Sequence, residues 1–213
     1  MDWERPEGKA RLATLLRDKT ASPGSDFRNA PLAKAELESA QLAKVDFTGA
    51  DLSGARLWKA DLTEAVLDGA NCVLAQALAM KFTKGSARGS NWSRSQLRLA
   101  VLMEARFDDS NLDHVILEEA VIERATFISA RLSGAFLAKV KATGADFTKA
   151  SLAGAHLQQG TYLGAKFAGA SLKGALAARA RFKGADFTGA GCDGLDLRAA
   201  EFDGAAPAGA ITG

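Results

Sequence analysis

Few side chains in this chain could do chemistry, and none is spaced for it. Two histidines, His114 and His156, and two cysteines, Cys72 and Cys192, are all that the chain holds of these types. Such groups act as acid–base, nucleophilic or metal-binding side chains when they converge with partners at set spacings. No H-E-x-x-H, G-x-S-x-G, phosphate-loop or metal-spaced Cys/His pattern occurs. Lys84-Gly85-Ser86-Ala87-Arg88-Gly89 has the composition of an anion-binding loop, but no helix follows it. Asn91-Trp92-Ser93 is a formal glycosylation sequon with no secretory context. The expectation is a protein that is not an enzyme and takes no cofactor and no metal.

The composition narrows the class further. In 213 residues, 27 bases balance 25 acids, so no strong field steers the chain to nucleic acid or to an acidic membrane. No run of about 18 apolar residues is present, and Met1-Asp2-Trp3-Glu4-Arg5 lacks the apolar core of a signal peptide. A cytoplasmic protein is expected. Two cysteines are too few for a disulfide scaffold, and both read as small buried hydrophobes.

The elements that must position everything else follow from one pattern. From Phe27 to Phe202 every fifth residue is apolar, without a slip over 36 positions. Helices repeat at about 3.6 residues and strands at 2, so neither yields five. The 36 centres include 17 Leu and 10 Phe, with Ala two residues earlier in 25 of them and Gly recurring two residues later. A large and a small inward residue, followed by a turn former, describe a short extended segment and then a corner.

Ala50-Asp51-Leu52-Ser53-Gly54, Ala60-Asp61-Leu62-Thr63-Glu64 and Ala185-Asp186-Phe187-Thr188-Gly189 match the pattern A-(D/N)-L-x-x outright. Over residues 25–205 the chain resembles the pentapeptide-repeat family. The resemblance implies an all-β solenoid, a right-handed quadrilateral parallel β-helix with four pentads per coil. Stacking every fourth centre tests that shape: Phe27, Phe47, Leu67, Ala87, Phe107, Phe127, Phe147, Phe167 and Phe187 fall in one column, which holds seven of the ten central Phe residues. About nine coils at about 4.8 Å give a rod about 43 Å long. Cys72 and Cys192 would then lie about 29 Å apart, far beyond the about 7 Å that a disulfide allows.

Three segments are expected: 1–24 as a cap, 25–205 as the β-helix and 206–213 as a flexible tail. Leu12, Leu15 and Leu16 within Gly8–Lys19 predict a short amphipathic helix that covers the first coil. The C-terminus shows no comparable cap; either another copy covers it or the chain continues in a longer protein. Residues 80–95 lose the small Ala, place Ala87 and Trp92 at centres and gain Gly and Ser. Either Trp92 fills space that Ala87 leaves, or the stretch is a ligand-contacting bulge.

Function must sit on outward positions. The column Asp51, Asn71, Asn91, Asn111 predicts a hydrogen-bonded ladder along the rod. The family includes mimics of B-DNA that act on DNA gyrase, so a gyrase regulator is the alternative reading. Duplex DNA 43 Å long would carry about 25 negative charges. Here acids and bases alternate, as with Asp26, Asp46, Asp68, Asp108, Asp146 and Asp186 beside Arg28, Arg88, Arg106, Lys149 and Lys166. Charge is segregated along the axis instead, and Lys81, Lys84, Arg88, Arg94 and Arg98 form a candidate basic patch with no intervening acid. Apolar residues also occupy positions that the repeat does not need: Ile116, Phe136 and Leu176 precede their centres, with His156 on the missing rung, and Trp58 and Leu78 follow theirs. These five apolar residues form the candidate protein-binding face. The reading is an interaction or scaffold module for an unidentified protein partner or for self-association. The resemblance adds a bacterial source and a place in a larger or secretion-associated protein.

Overall fold

The computed structural model describes residues 2–203 and 206–212. Positions 1, 204, 205 and 213, which fall at the ends of the expected segments, lie outside the described residues.

The residue before each centre bridges in parallel to the residue twenty positions on, from Asp26↔Asp46 to Arg181↔Glu201. Twenty residues at one pentad per side make the coil four-sided. Four of the five amides in a pentad enter a main-chain ladder. Phe47 N–H donates forward to the Val66 carbonyl at 2.7 Å and Gly49 N–H to the Asp68 carbonyl at 2.9 Å. Asp51 N–H donates back to the Ala30 carbonyl at 3.0 Å, and Ala50 N–H closes a tight turn onto the Phe47 carbonyl at 2.9 Å. The residue after the centre, from Arg28 to Arg198, donates to no backbone carbonyl among the described residues.

That spare amide explains the Asp/Asn of the repeat. Asp46 Oδ1 accepts the Thr48 N–H at 2.9 Å, Asp51 Oδ1 the Ser53 N–H at 3.0 Å and Asp186 Oδ1 the Thr188 N–H at 2.8 Å. Asn91 and Asn111 do the same with Ser93 and Asp113. A short polar side chain folded onto the amide two residues on is the local bond these residue types make best. The expected ladder along the rod is thereby corrected. Only the Asn71–Asp51 rung of that column joins two coils, with Asn71 Nδ2 donating to Asp51 Oδ1 at 3.0 Å.

The corner two residues after the centre lies at positive φ, whether Gly (Gly69, +65°) or not (Leu74, +59°; Leu99, +59°). Inside, the Phe column stacks: Phe107, Phe127, Phe147, Phe167 and Phe187 follow one another at 5.1–5.3 Å with ring planes turned by 5–7°.

Residues 80–95 keep the register, with Asp61↔Lys81, Asn71↔Asn91 and Gln76↔Gln96 intact. Trp92 is fully buried, packs edge-on to Phe107 at 6.1 Å and donates its indole N–H to Ser90 Oγ at 3.0 Å. Ser90 takes the place of the usual Ala because that indole needs an acceptor. Gly85 does so for space, since a Cβ there would lie 2.2 Å from the Phe82 ring.

At the N-terminus, α1 spans Pro6–Asp18, with Pro at its start and Lys19 closing it in the left-handed region. Leu15 is buried, Leu12 packs on the core and Leu16 faces outward. Trp3 stacks on Phe27 at 5.7 Å and 9°, and Arg11 lies 5.0 Å from the same ring. The first bridge, Thr20↔Gln41, precedes position 25, so pairing starts earlier than expected. At the other end lie residues 206–212, the expected tail. The Ile211 N–H donates to the Leu195 carbonyl and the Ile211 carbonyl accepts the Leu197 N–H, both at 2.7 Å, which lays Ile211 on the last coil.

Candidate interaction face

The outward apolar residues belong to the side whose centres are Leu57, Ala77, Leu97, Leu117, Leu137, Leu157 and Ala177. Ile116↔Phe136↔His156↔Leu176 are consecutive rungs of one ladder. The Phe136 and His156 rings meet at 4.8 Å, and Phe136 keeps 36% of its surface exposed. His114, Gly134, Gly154 and Gly174 border this stripe at the preceding corner, all at positive φ, and the His114 ring lies over Gly134, so only the Gly154 and Gly174 part of the shoulder is bare.

Trp58 and Leu78, 38% and 36% exposed, stand on the same side but in the column after the centres. Trp58 lies under the Arg56 guanidinium at 5.1 Å, and Arg56 pairs with Glu36 at 3.2 Å. A coil carrying Gln96 and Arg98 separates this pair from Ile116. The structure therefore joins Ile116, Phe136 and Leu176 and leaves Trp58 and Leu78 as a second, smaller patch. Leu99, 45% exposed at a corner, extends the smaller patch and was missed in the sequence. The signal was available: an apolar residue stands where the turn calls for Gly or a long polar chain.

The five bases of the candidate patch do not converge. Lys81 and Lys84 lie on one side, and Arg88, Arg94 and Arg98 lie on the other three, so they form a belt. Arg88 is paired with Asp108 at 3.5 Å and Arg98 with Glu119 at 3.0 Å. Pairing between neighbouring coils recurs elsewhere: Lys44–Glu64 at 3.6 Å, Arg124–Glu104 at 3.1 Å, Lys166–Asp146 at 3.4 Å, and Arg131 with Asp113.

Asp186 and Asp196 are held below the usual carboxylate range. For Asp186 the cause is first the Thr188 hydroxyl and then the Thr188 amide; for Asp196 it is first the Arg198 side chain. Burial pushes the Cys72 thiol far up and raises Cys192, so neither is a ready thiolate. Among the described residues no group of three His, Cys, Asp or Glu could hold a metal, and no helix is long and apolar enough to cross a membrane. An opening of about 600 Å³ at the C-terminal end is lined by Phe182, Phe187, Leu197 and Phe202. A shallow groove of about 350 Å³ runs beside Leu74, Arg94 and His114.

The sequence profile for pentapeptide repeats matches residues 46–76, 86–118, 120–159 and 165–204 in eight copies, about two thirds of the chain. No curated protein sequence matches it. Among solved structures, HetL, a pentapeptide repeat protein involved in heterocyst differentiation regulation from the cyanobacterium Nostoc sp. strain PCC 7120, is 23% identical over 95% of each chain, with a TM-score of 0.41. Full-length QnrB1, a plasmid-mediated fluoroquinolone resistance protein, is 18% identical over 91% of this chain and 92% of its own, with a TM-score of 0.40. A pentapeptide repeat protein from the Arabidopsis thaliana thylakoid lumen is 27% identical over 52% of this chain and 66% of its own, with a TM-score of 0.23. With the profile covering most of a register that runs from Phe27 to Phe202, this chain belongs to the pentapeptide repeat family.

Proposed function

We propose that this protein is a non-enzymatic interaction module that docks a protein on the side bearing Ile116, Phe136 and Leu176. The observation that carries the reading is the exposed Phe136 in a ladder of apolar rungs. A parallel ladder needs its outward residues only for solubility, so a row of apolar rungs on this side supports a binding role. A right-handed coil of about nine turns belongs to the same proposal; twenty-residue pairing supports the length and the near-universal hand of parallel crossovers supports the sense.

The experiment is affinity purification from the native host with the wild type and with Phe136→Asp, alongside a circular dichroism melt of each. The variant is expected to keep its melt and lose its partner. An unchanged partner profile would remove the reading. The DNA-mimic alternative finds no support in the surface, because bases on neighbouring coils already neutralise Asp108, Asp113 and Asp146. Gyrase supercoiling is accordingly expected to be unaffected at micromolar protein.

A further inference from the structure

We propose that the occupant of this face is a second copy of the same chain, docked with the two rods antiparallel. The inference rests on the interaction-face reading and adds the identity and the orientation of the partner. Two such faces can meet through a two-fold axis in the plane between them, either along the rods or across them. An axis along the rods sets the column before the centres against the column after them. Ile116 would then face Glu118 of the second copy, and apolar rungs would cover a carboxylate. An axis across the rods sets each column against itself in reverse order.

The second arrangement suits the residues present. With the axis between the Phe136 and His156 rungs, Ile116 meets Leu176 of the second copy and Phe136 meets its His156, so the four-rung ladder covers its own inverse. On one flank Gly134 meets Gly154, and the His114 ring lies over Gly134, so an imidazole fills part of the space between the two backbones. On the other flank Glu119 meets Arg179, and Arg179 makes none of the ion pairs among the described residues. At the outer rungs Arg98 meets Arg198; Asp196 holds Arg198 at 2.8 Å, and Glu119, 3.0 Å from Arg98 in its own chain, is shared between Arg98 and the Arg179 of the second copy. A strip four rungs long, about 19 Å, is smaller than a standard interface of about 800 Å² per partner. The dimer is therefore expected to be weak and reversible.

Sedimentation velocity from about 10 to about 500 µM reads the association, and a disulfide reads the orientation. Ile116 and Leu176 lie three rungs apart in one chain, about 14 Å, too far for an internal bond. Ile116→Cys/Leu176→Cys is expected to form covalent dimers under mild oxidation, whereas either single variant is not. The native Cys72 and Cys192 are buried and give no background. Arg179→Glu is expected to weaken association a few-fold, as for a rim charge, and Glu119→Arg/Arg179→Glu to restore it. A wild type that stays monomeric throughout with no double-cysteine dimer overturns the inference, as does equal crosslinking of the single variants. Either result leaves the interaction-face reading to be judged separately by the host partner of wild type against Phe136→Asp.

Discussion

Within one pentad, an amide without a main-chain acceptor sets the choice of residue before the centre. Asp186 illustrates it, with the Thr188 N–H at 2.8 Å and a carboxyl held below the usual range by the Thr188 hydroxyl and amide. A depressed folded pKa contributes stability that is complete above the unfolded value of about 3.9 and is lost as pH falls through the folded value. The melting temperature is therefore expected to be flat from neutral pH to about 5 and to fall below about 4, as circular dichroism melts will show. In Asp186→Asn, which keeps the acceptor and cannot titrate, that acid loss is expected to be smaller. The glycines separate two other effects. Gly69→Ala adds a Cβ with nothing within 4 Å at φ +65°, so only backbone strain opposes it, about 1 kcal/mol. Gly85→Ala drives a Cβ to 2.2 Å from the Phe82 ring and is expected to cost more, about 2–3 kcal/mol, in denaturant unfolding.

For the elements, the ends differ from the middle, and here the sequence was only partly legible. Five-residue spacing and the stacked Phe column were enough to read a four-sided coil, because those positions must point inward whatever surrounds them. The N-terminal cap was legible as Leu12 and Leu15 on one helical face, but Trp3 was not, since a lone aromatic ahead of a helix carries no period. Pairing of Ile211 with Leu195 and Leu197 was hidden for the same reason: the tail has no pentad rhythm, so only its hydrogen bonds locate it. The face was read as five residues where the fold joins three, because column and coil number must be known together before spacing becomes distance. Trp3→Ala uncovers Phe27, the first ring of the column, and is expected to destabilise the cap by about 3 kcal/mol. Hydrogen exchange will show this as faster exchange in residues 20–50 than near Phe147, since stacked repeats fray from their ends.

Over the whole molecule, register is the property that cannot be changed piecemeal. Removing residues 140–159, one full coil, keeps each column intact and is expected to leave a cooperative melt within a few degrees of the parent. Removing only residues 140–144 rotates everything downstream by one side, takes Phe147, Phe167 and Phe187 out of line with Phe127, and is expected to lower the melting temperature by about 10 °C or more. Circular dichroism of the two deletions decides it, and similar losses in both would mean that the columns contribute little. The constant twenty-residue pairing has a consequence of another kind. Each added twenty residues lengthen every column by one rung and leave the existing rungs paired as they were. The molecule is a ruler, and the reach of its binding edge can be graduated in whole coils while the grip on what it already holds stays the same.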